Sequence, residues 1–288
     1  MDTIQPLCTI IDWASAHDSI RAVLLTSTRA VPNAPVDALS DYDVILIVQA
    51  LAPWVTDRSW LSDFGEVLVV YWDAVSPDPS YGFEQSGNVT QYTNGLKIDF
   101  TLWPVELFKL IVAAPQLPDE LDAGYQVLID KDKLTSRMRA ASYTAYIPRL
   151  PSEQEYLLHI NDFLTDPPYV AKCLWRDELL PAKWCLDTDM IQTYLRTMLE
   201  WRVAIDYGAA ACVGSLGKGL KKQLPTQTWA QLEQCFAGAG IAENWLALER
   251  TVALFRQVAI EVGTHLGYRY PEELHQRVMA YVASIRVT

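Results

Sequence analysis

Between residues 40 and 48 the chain reads Ser-Asp-Tyr-Asp-Val-Ile-Leu-Ile-Val. The run from Val44 to Val48 is unbroken, apolar and mostly β-branched, the pattern of a strand covered on both faces rather than of a half-wet edge. A chain with such a strand must supply layers on both sides of a sheet, so the first expectation is a layered domain of strands and helices. Two aspartates, Asp41 and Asp43, stand at the mouth of the run. Two residues apart on an extended segment, they project to the same side. Carboxylates that close repel unless something cationic lies between them.

Other short β runs accompany this one up to about residue 135. Ala22–Ser27, Tyr42–Val48, Val67–Trp72, Val89–Thr93, Leu96–Trp103 and Tyr125–Ile129 are expected as strands, with short helices between them. Asn94-Gly95 separates two of these runs and signals a hairpin. Beyond Pro148 and Pro151 the β signal stops, and helical periodicity follows over Glu153–Leu164, Val170–Leu180, Lys183–Tyr207, Thr228–Phe236, Ala242–Leu266 and Glu272–Ile285. The fold class expected is α+β: a sheet domain over residues 1–148 and a helical-bundle domain over 149–288.

Charge narrows the partners. Residues 1–150 hold 10 basic and 19 acidic residues, and so carry most of the chain's formal net charge of −12. Nucleic-acid affinity needs Lys and Arg on phosphates, so no nucleic-acid partner is expected, whereas a small cationic substrate would be drawn in. The five cysteines form no CxxC pair, which argues against a disulfide framework, and the four scattered histidines make zinc improbable. Met1-Asp2 opens no basic segment followed by an apolar core, and the stretch from Val44 to Val55 is interrupted by Gln49 and Pro53. No leader and no membrane span are expected, and the location expected is cytoplasmic.

A third carboxylate then joins the pair. Leu-Lys-Ile-Asp-Phe-Thr-Leu-Trp places Asp99 inside an apolar strand, 56 residues beyond Asp43. Buried, charged and unpaired it would cost roughly several kcal/mol. Alone, Asp99 reads as the acceptor of a structural hydrogen bond or ion pair, and a lone DxD as a solvated strand end; three carboxylates together read as a site. Upstream, Ser27-Thr28-Arg29 follows the strand Val23–Leu25. A hydroxyl, loop amides and a guanidinium in that place suit phosphate oxygens.

Strand, Ser-Thr-Arg loop, Asp-Tyr-Asp and a later Ile-Asp strand resemble the nucleotidyltransferase superfamily shared with polymerase β. More closely, the chain resembles the aminoglycoside 6-adenylyltransferases, which inactivate streptomycin. The matching pieces are STRA, NAPVDALSDYDV, WLSDFGEVLVV, KIDFTL, VLIDKD, PPYVAKCLWRDEL, SLGKGLKKQLP and GYRYPEEL, in one unbroken order from about residue 20 to residue 275. The departures are Ser27 where the family loop has glycine, Cys173 for the usual glycine, and Asp177 for the usual lysine.

The resemblance implies a polymerase-β-like mixed-sheet domain, a covering helical domain, and Mg²⁺-dependent transfer of AMP from ATP to a hydroxyl of a cationic acceptor, streptomycin at its 6-position first. It implies that Asp41 and Asp43 hold Mg²⁺ and that Asp99 is the third carboxylate, either taking the hydroxyl's proton or sharing a metal. Thr28, Arg29 and the amides near Ser27 would hold the β- and γ-phosphates, with Lys172 reaching the triphosphate from the helical domain. Trp175 and Glu178 are the candidate contacts to the acceptor. Alternatives are a related enzyme acting on another hydroxylated compound, such as a lincosamide, and a catalytically silent nucleotide-binding protein.

Two motifs carry structural expectations only. Gly-Ser-Leu-Gly-Lys-Gly-Leu-Lys-Lys has Cys212 where Walker spacing needs glycine, and reads as a helix–helix loop with Gly219 at a special φ/ψ. Gly267 to Leu274 reads as a helix stop and a new helix with Pro271 at its first position.

Overall fold

The structure is a computed structural model that describes residues 5–32 and 34–287. Met1-Asp2, on which the absence of a leader was read, and Asn33, the first residue of NAPVDALSDYDV, lie outside the described residues. The chain forms two compact units, Met1–Ala145 and Tyr146–Thr288.

The first unit opens with helix α1 (Gln5–Ala16) and strands β1 (Ile20–Thr26) and β2 (Tyr42–Val48), followed by α2 (Ala52–Thr56). Strands β3 (Val67–Trp72), β4 (Ser76–Pro77), β5 (Glu84–Tyr92) and β6 (Lys97–Pro104) come next, then α3 (Val105–Ala113), α4 (Asp119–Asp122) and β7 (Tyr125–Asp130). The sheet runs β3-β5-β6-β2-β1-β7, with β4 paired to β5. Only the β2–β6 pair is parallel among the ladders of the described residues, so the sheet is mixed.

Strand β2 shows why its sequence lacks alternation. Val44, Leu46 and Val48 pack with Trp54, Trp60 and Phe64 on one face, while Ile45 and Ile47 pack with Trp103, Leu107 and Phe108 on the other. Both faces are dry, so both need apolar side chains. The first face is lined with aromatic rings: Trp60 lies 5.0 Å from Phe100 and 5.5 Å from Trp13. Phe100 is the neighbour of Asp99, and Ile98 on its other side is also fully buried. Each such burial is worth about 1.5–3 kcal/mol, enough to fix the strand that carries the carboxylate.

The Asn94-Gly95 signal does mark a hairpin. The Gly95 amide donates to the Tyr92 carbonyl at 3.0 Å, and Gly95 takes φ +85°, a left-handed value that glycine adopts without strain.

The second unit contains helices α5 (Glu153–Trp175), α6 (Leu179–Lys183), α7 (Arg196–Tyr207), α8 (Leu220–Gln223), α9 (Thr226–Glu233), α10 (Ile241–Leu266) and α11 (Glu272–Val287), with a π-helical stretch at Trp184–Leu195. Ser152 and Glu155 form a reciprocal capping box at the start of α5. The expected break at Pro167-Pro168 does not occur, and α5 continues to Trp175. Two prolines remove two helix donors and disfavour the preceding residue's helical geometry. Against this, Ile160, Phe163, Leu164, Pro167, Val170, Ala171 and Leu174 make one buried stripe through the proline pair. Phe163 stacks on Phe255 of α10 at 3.6 Å, and the Tyr156 hydroxyl donates to the Ala259 carbonyl at 2.7 Å. Packing on both sides of the prolines outweighs their local preference.

Two smaller readings are corrected. Gly219 has an ordinary φ of −87°; glycine is needed there because a Cβ would lie 1.8 Å from the Cys212 carbonyl oxygen. Pro271 precedes the first helical residue of α11, its carbonyl accepting from the His275 amide at 3.1 Å. The five cysteines are all free, and among the described residues no helix is long and apolar enough to cross a membrane.

Candidate functional site

The ladder of β2 and β6 sets Asp43 directly opposite Asp99, and the ladder of β1 and β2 sets Thr26 opposite Asp43. The end of β1, the start of β2 and the start of β6 thus lie side by side. Asp41, just before β2, shares the side of Asp43, and Lys97 shares the side of Asp99. Two segments far apart in sequence, the start of β2 and the start of β6, deliver three carboxylates and one ammonium to one end of the sheet. Asp43 and Asp99 have the parity of Ile45 and Trp103, residues packed beneath α3. That helix follows the far end of β6, so the end with the carboxylates stays open.

The cation between the carboxylates is Lys97. Its Nζ donates to Asp41 Oδ2 at 2.6 Å and to Asp99 Oδ2 at 3.0 Å. Sequence reasoning passes over Lys97, although it stands two residues before Asp99 and therefore on its side of the strand. Burial works against the charged ammonium, but the bonds to Asp41 and Asp99 outweigh it, and Lys97 ends above the usual lysine value.

Asp99 is held above the usual carboxylate range by burial, with Lys97 pulling the other way. Asp43 is raised as well, by burial and then by the charge of Asp99, while a hydrogen bond from the Ser27 hydroxyl favours its ionised form. Asp99 Oδ1 is buried and has no hydrogen-bond partner. A partnerless buried carboxylate oxygen among further carboxylates fits a divalent cation, and an all-oxygen donor set suits a hard one such as Mg²⁺.

The loop after β1 is a short 3₁₀ turn, Ser27–Ala30. Ser27 has φ +59°, the left-handed conformation that glycine adopts freely. Thr28 is exposed. Arg29 is committed to backbone: Nε donates to the Asp41 carbonyl at 2.9 Å and Nη2 to the Ser40 carbonyl at 2.7 Å, with the guanidinium 3.9 Å over the Tyr42 ring. It therefore fixes the approach to β2 that carries Asp41. A cavity of about 220 Å³ opens at this end of the strands, with Arg29, Asp41 and Lys97 among its lining.

The other candidate residues lie on the second unit. Lys172 is in the last turn of α5, its ammonium 5.4 Å over the Tyr281 ring. Trp175 and Glu178 are exposed just beyond, where Asp177 at φ +61° ends the helix. VLIDKD does structural work: Asp130 accepts from the Leu134 and Thr135 amides, Lys131 from its Nζ donates to the Ala14, Ser15 and His17 carbonyls, and Asp132 pairs with Arg21.

The model of the streptomycin adenylyltransferase family matches residues 3–285. Aminoglycoside 6-adenylyltransferases of Campylobacter jejuni and Bacillus subtilis (strain 168) are 28% and 27% identical to the chain, covering 91% of it and 88% and 90% of their own lengths. That of Staphylococcus aureus is 24% identical over 91% of each chain. A crystal structure of an aminoglycoside 6-adenyltransferase from Bacillus subtilis, 24% identical and covering 97% of both chains, superposes with a TM-score of 0.48.

Proposed function

Because the chain belongs to the streptomycin adenylyltransferase family, a family of nucleotidyltransferases, we propose that it transfers AMP from ATP to a hydroxyl of an aminoglycoside, streptomycin at its 6-position first. The observation that supports this most directly is Asp43 facing Asp99 across two parallel strands, with Asp41 beside them and Asp99 Oδ1 buried without a partner. The first 148 residues act as the nucleotidyltransferase domain and residues 149–288 as a helical substrate domain.

Asp41, Asp43 and Asp99 hold Mg²⁺, which when bound neutralises charge on the triphosphate. Arg29 keeps Asp41 in place by gripping the Ser40 and Asp41 carbonyls, and with Thr28 and the amides near Ser27 it presents donors to phosphate oxygens. Lys172 adds a further cation for the triphosphate, and Trp175 and Glu178 meet the acceptor. Asp99 accepts the proton of the acceptor hydroxyl as that oxygen bonds the α-phosphorus and pyrophosphate departs. Acceptance of that proton by a positioned carboxylate contributes typically 10²–10⁴-fold.

The test is mass spectrometry of streptomycin and a panel of aminoglycosides incubated with the protein, ATP and Mg²⁺. The expected result is one added adenylyl group on streptomycin, with an acceptor KM that rises with salt because the acidic first unit attracts cations. No adduct on any aminoglycoside, or equal turnover of neutral sugars, overturns the reading.

A further inference from the structure

Lys97 has no part in the proposed chemistry, yet it occupies its centre. Its ammonium lies 2.6 Å from Asp41 Oδ2 and 3.0 Å from Asp99 Oδ2, two oxygens assigned to the metal. An ammonium at those distances and a divalent cation at ~2.0–2.1 Å from carboxylate oxygens want the same space and the same lone pairs. From this we infer that Lys97 is an internal placeholder: it balances the carboxylates while no metal is bound, and it must withdraw for the metal to bind Asp41 and Asp99. The inference rests on the nucleotidyltransferase reading for the identity of the metal site.

The geometry carries this further than a structural ion pair would. Lys97 stands at the first position of β6, next to the turn that Asn94 and Gly95 make, so its backbone is fixed while its four-carbon side chain can swing toward solvent. About a quarter of the side chain is already exposed, 27%, as is 28% of Asp99. A pair at that depth is screened enough to open and desolvated enough to bias the equilibrium. Once displaced, the ammonium needs a new anion, and the phosphates of a nucleotide supply one. Metal and nucleotide then bind with positive coupling, each easing the entry of the other, and the coupling is reciprocal. Metal without nucleotide is held weakly.

The experiment measures Mn²⁺ affinity of the nucleotide-free full chain by electron paramagnetic resonance, for wild type and Lys97→Met. Methionine keeps the length and apolar stem and removes the charge. The expected result is Mn²⁺ bound at least about tenfold more tightly by the variant, with a smaller gain on adding a non-hydrolysable ATP analogue than wild type shows. Unchanged or weaker Mn²⁺ binding by a folded variant overturns the placeholder, as does failure of both chains to bind Mn²⁺.

A second measurement needs no variant. Amine acetylation of the wild-type chain, read by peptide mass spectrometry, should find Lys97 slow to react without metal and several-fold faster at saturating Mn²⁺. Equal reactivity in both states also overturns it. The two readings separate cleanly: tighter Mn²⁺ binding in Lys97→Met without adenylyl transfer to any aminoglycoside removes the function and keeps the placeholder. Transfer with unchanged Mn²⁺ binding does the reverse.

Discussion

Each unit of the chain carries a group of crowded carboxylates, and the two groups are neutralised by different means. In the first unit Asp41 and Asp99 share the ammonium of Lys97. In the second, Asp166, Asp189 and the Cys185 thiol bring ligand atoms within 4.8 Å of one another, and the charges acting on Asp166 are those of Asp189 and Asp162, both negative. There no such lysine acts on Asp166, which keeps its proton to higher pH than an ordinary aspartate. Burial, then Asp189, pushes Asp166 up to about 6, and burial with the neighbouring carboxylates pushes the Cys185 thiol up to about 12. A fixed cation on a strand keeps carboxylates ionised at an open end, ready to exchange partners. A half-buried helical carboxylate whose charged neighbours are negative instead holds its proton to higher pH. Crowded carboxylates alone therefore do not distinguish a reactive site from a structural one; the neutralising partner does.

The comparison breaks most visibly at Asp99. Asp99→Asn preserves shape and an accepting oxygen but removes charge and basicity. AMP transfer should fall at least about a hundredfold, while a non-hydrolysable ATP analogue binds within a few-fold of wild type in calorimetric titration. A collapse of nucleotide affinity would make holding the metal the dominant role of Asp99 and proton acceptance the lesser one, and unchanged turnover would make it structural.

What the sequence made legible divides along the same line. Tyr42–Val48 and Val67–Trp72 are strands over the ranges their composition indicates, because a continuous β-branched run has few other uses. The lack of alternation in β2 truly reports two dry faces. The proline pair misled because local rules cannot see the stripe from Ile160 to Leu174 that packs through it. Lys97 escaped notice for a related reason. Its spacing from Asp99 is readable, but its bond to Asp41 exists only once β2 and β6 pair in parallel, a register that no local pattern states. Arg29 carries a contact that its sequence position does not state: its guanidinium is engaged with the Ser40 and Asp41 carbonyls.

The second unit yields a smaller effect, on stability. A carboxylate whose folded pKa lies above its ordinary value is protonated preferentially in the folded state, so it favours folding at low pH and works against it once ionised. For Asp166 the change runs from pH about 4 to about 6, with stability falling as pH rises through that window. The full shift corresponds to roughly 2–3 kcal/mol, and solvent screening at a half-buried group reduces it to about 1.5 kcal/mol. Asp166→Asn should therefore be more stable than wild type at pH 8 by about that amount in urea denaturation, with the advantage shrinking below pH 6. A variant less stable at pH 8 would mean that the ionised Asp166 has a cation of its own, and the contrast between the two clusters would fail.

The smallest effect sharpens the comparison within the first cluster, at Ser27. This residue combines a left-handed φ of +59° with a hydroxyl bonded to Asp43. A side chain in that conformation costs roughly 1–2 kcal/mol, a cost glycine escapes. The hydroxyl returns part of it, a hydrogen bond to a charged group being worth about 1.5–3 kcal/mol at best and less where solvent competes. The two contributions separate in a pair of variants. Ser27→Gly relieves the backbone and loses the hydrogen bond, so its stability should stay within about 1 kcal/mol of wild type. Ser27→Ala loses the bond and keeps the strain, and should be less stable than the glycine variant by about 1 kcal/mol. Thermal unfolding of the three chains at one pH measures both differences. If the alanine and glycine variants melt together, the loop has relaxed out of the left-handed conformation, and the serine is then explained by its hydroxyl alone. If alanine falls below glycine as expected, the Ser27 hydroxyl is the compensation for a strained position beside Asp43, a second fixed partner for the carboxylates alongside Lys97.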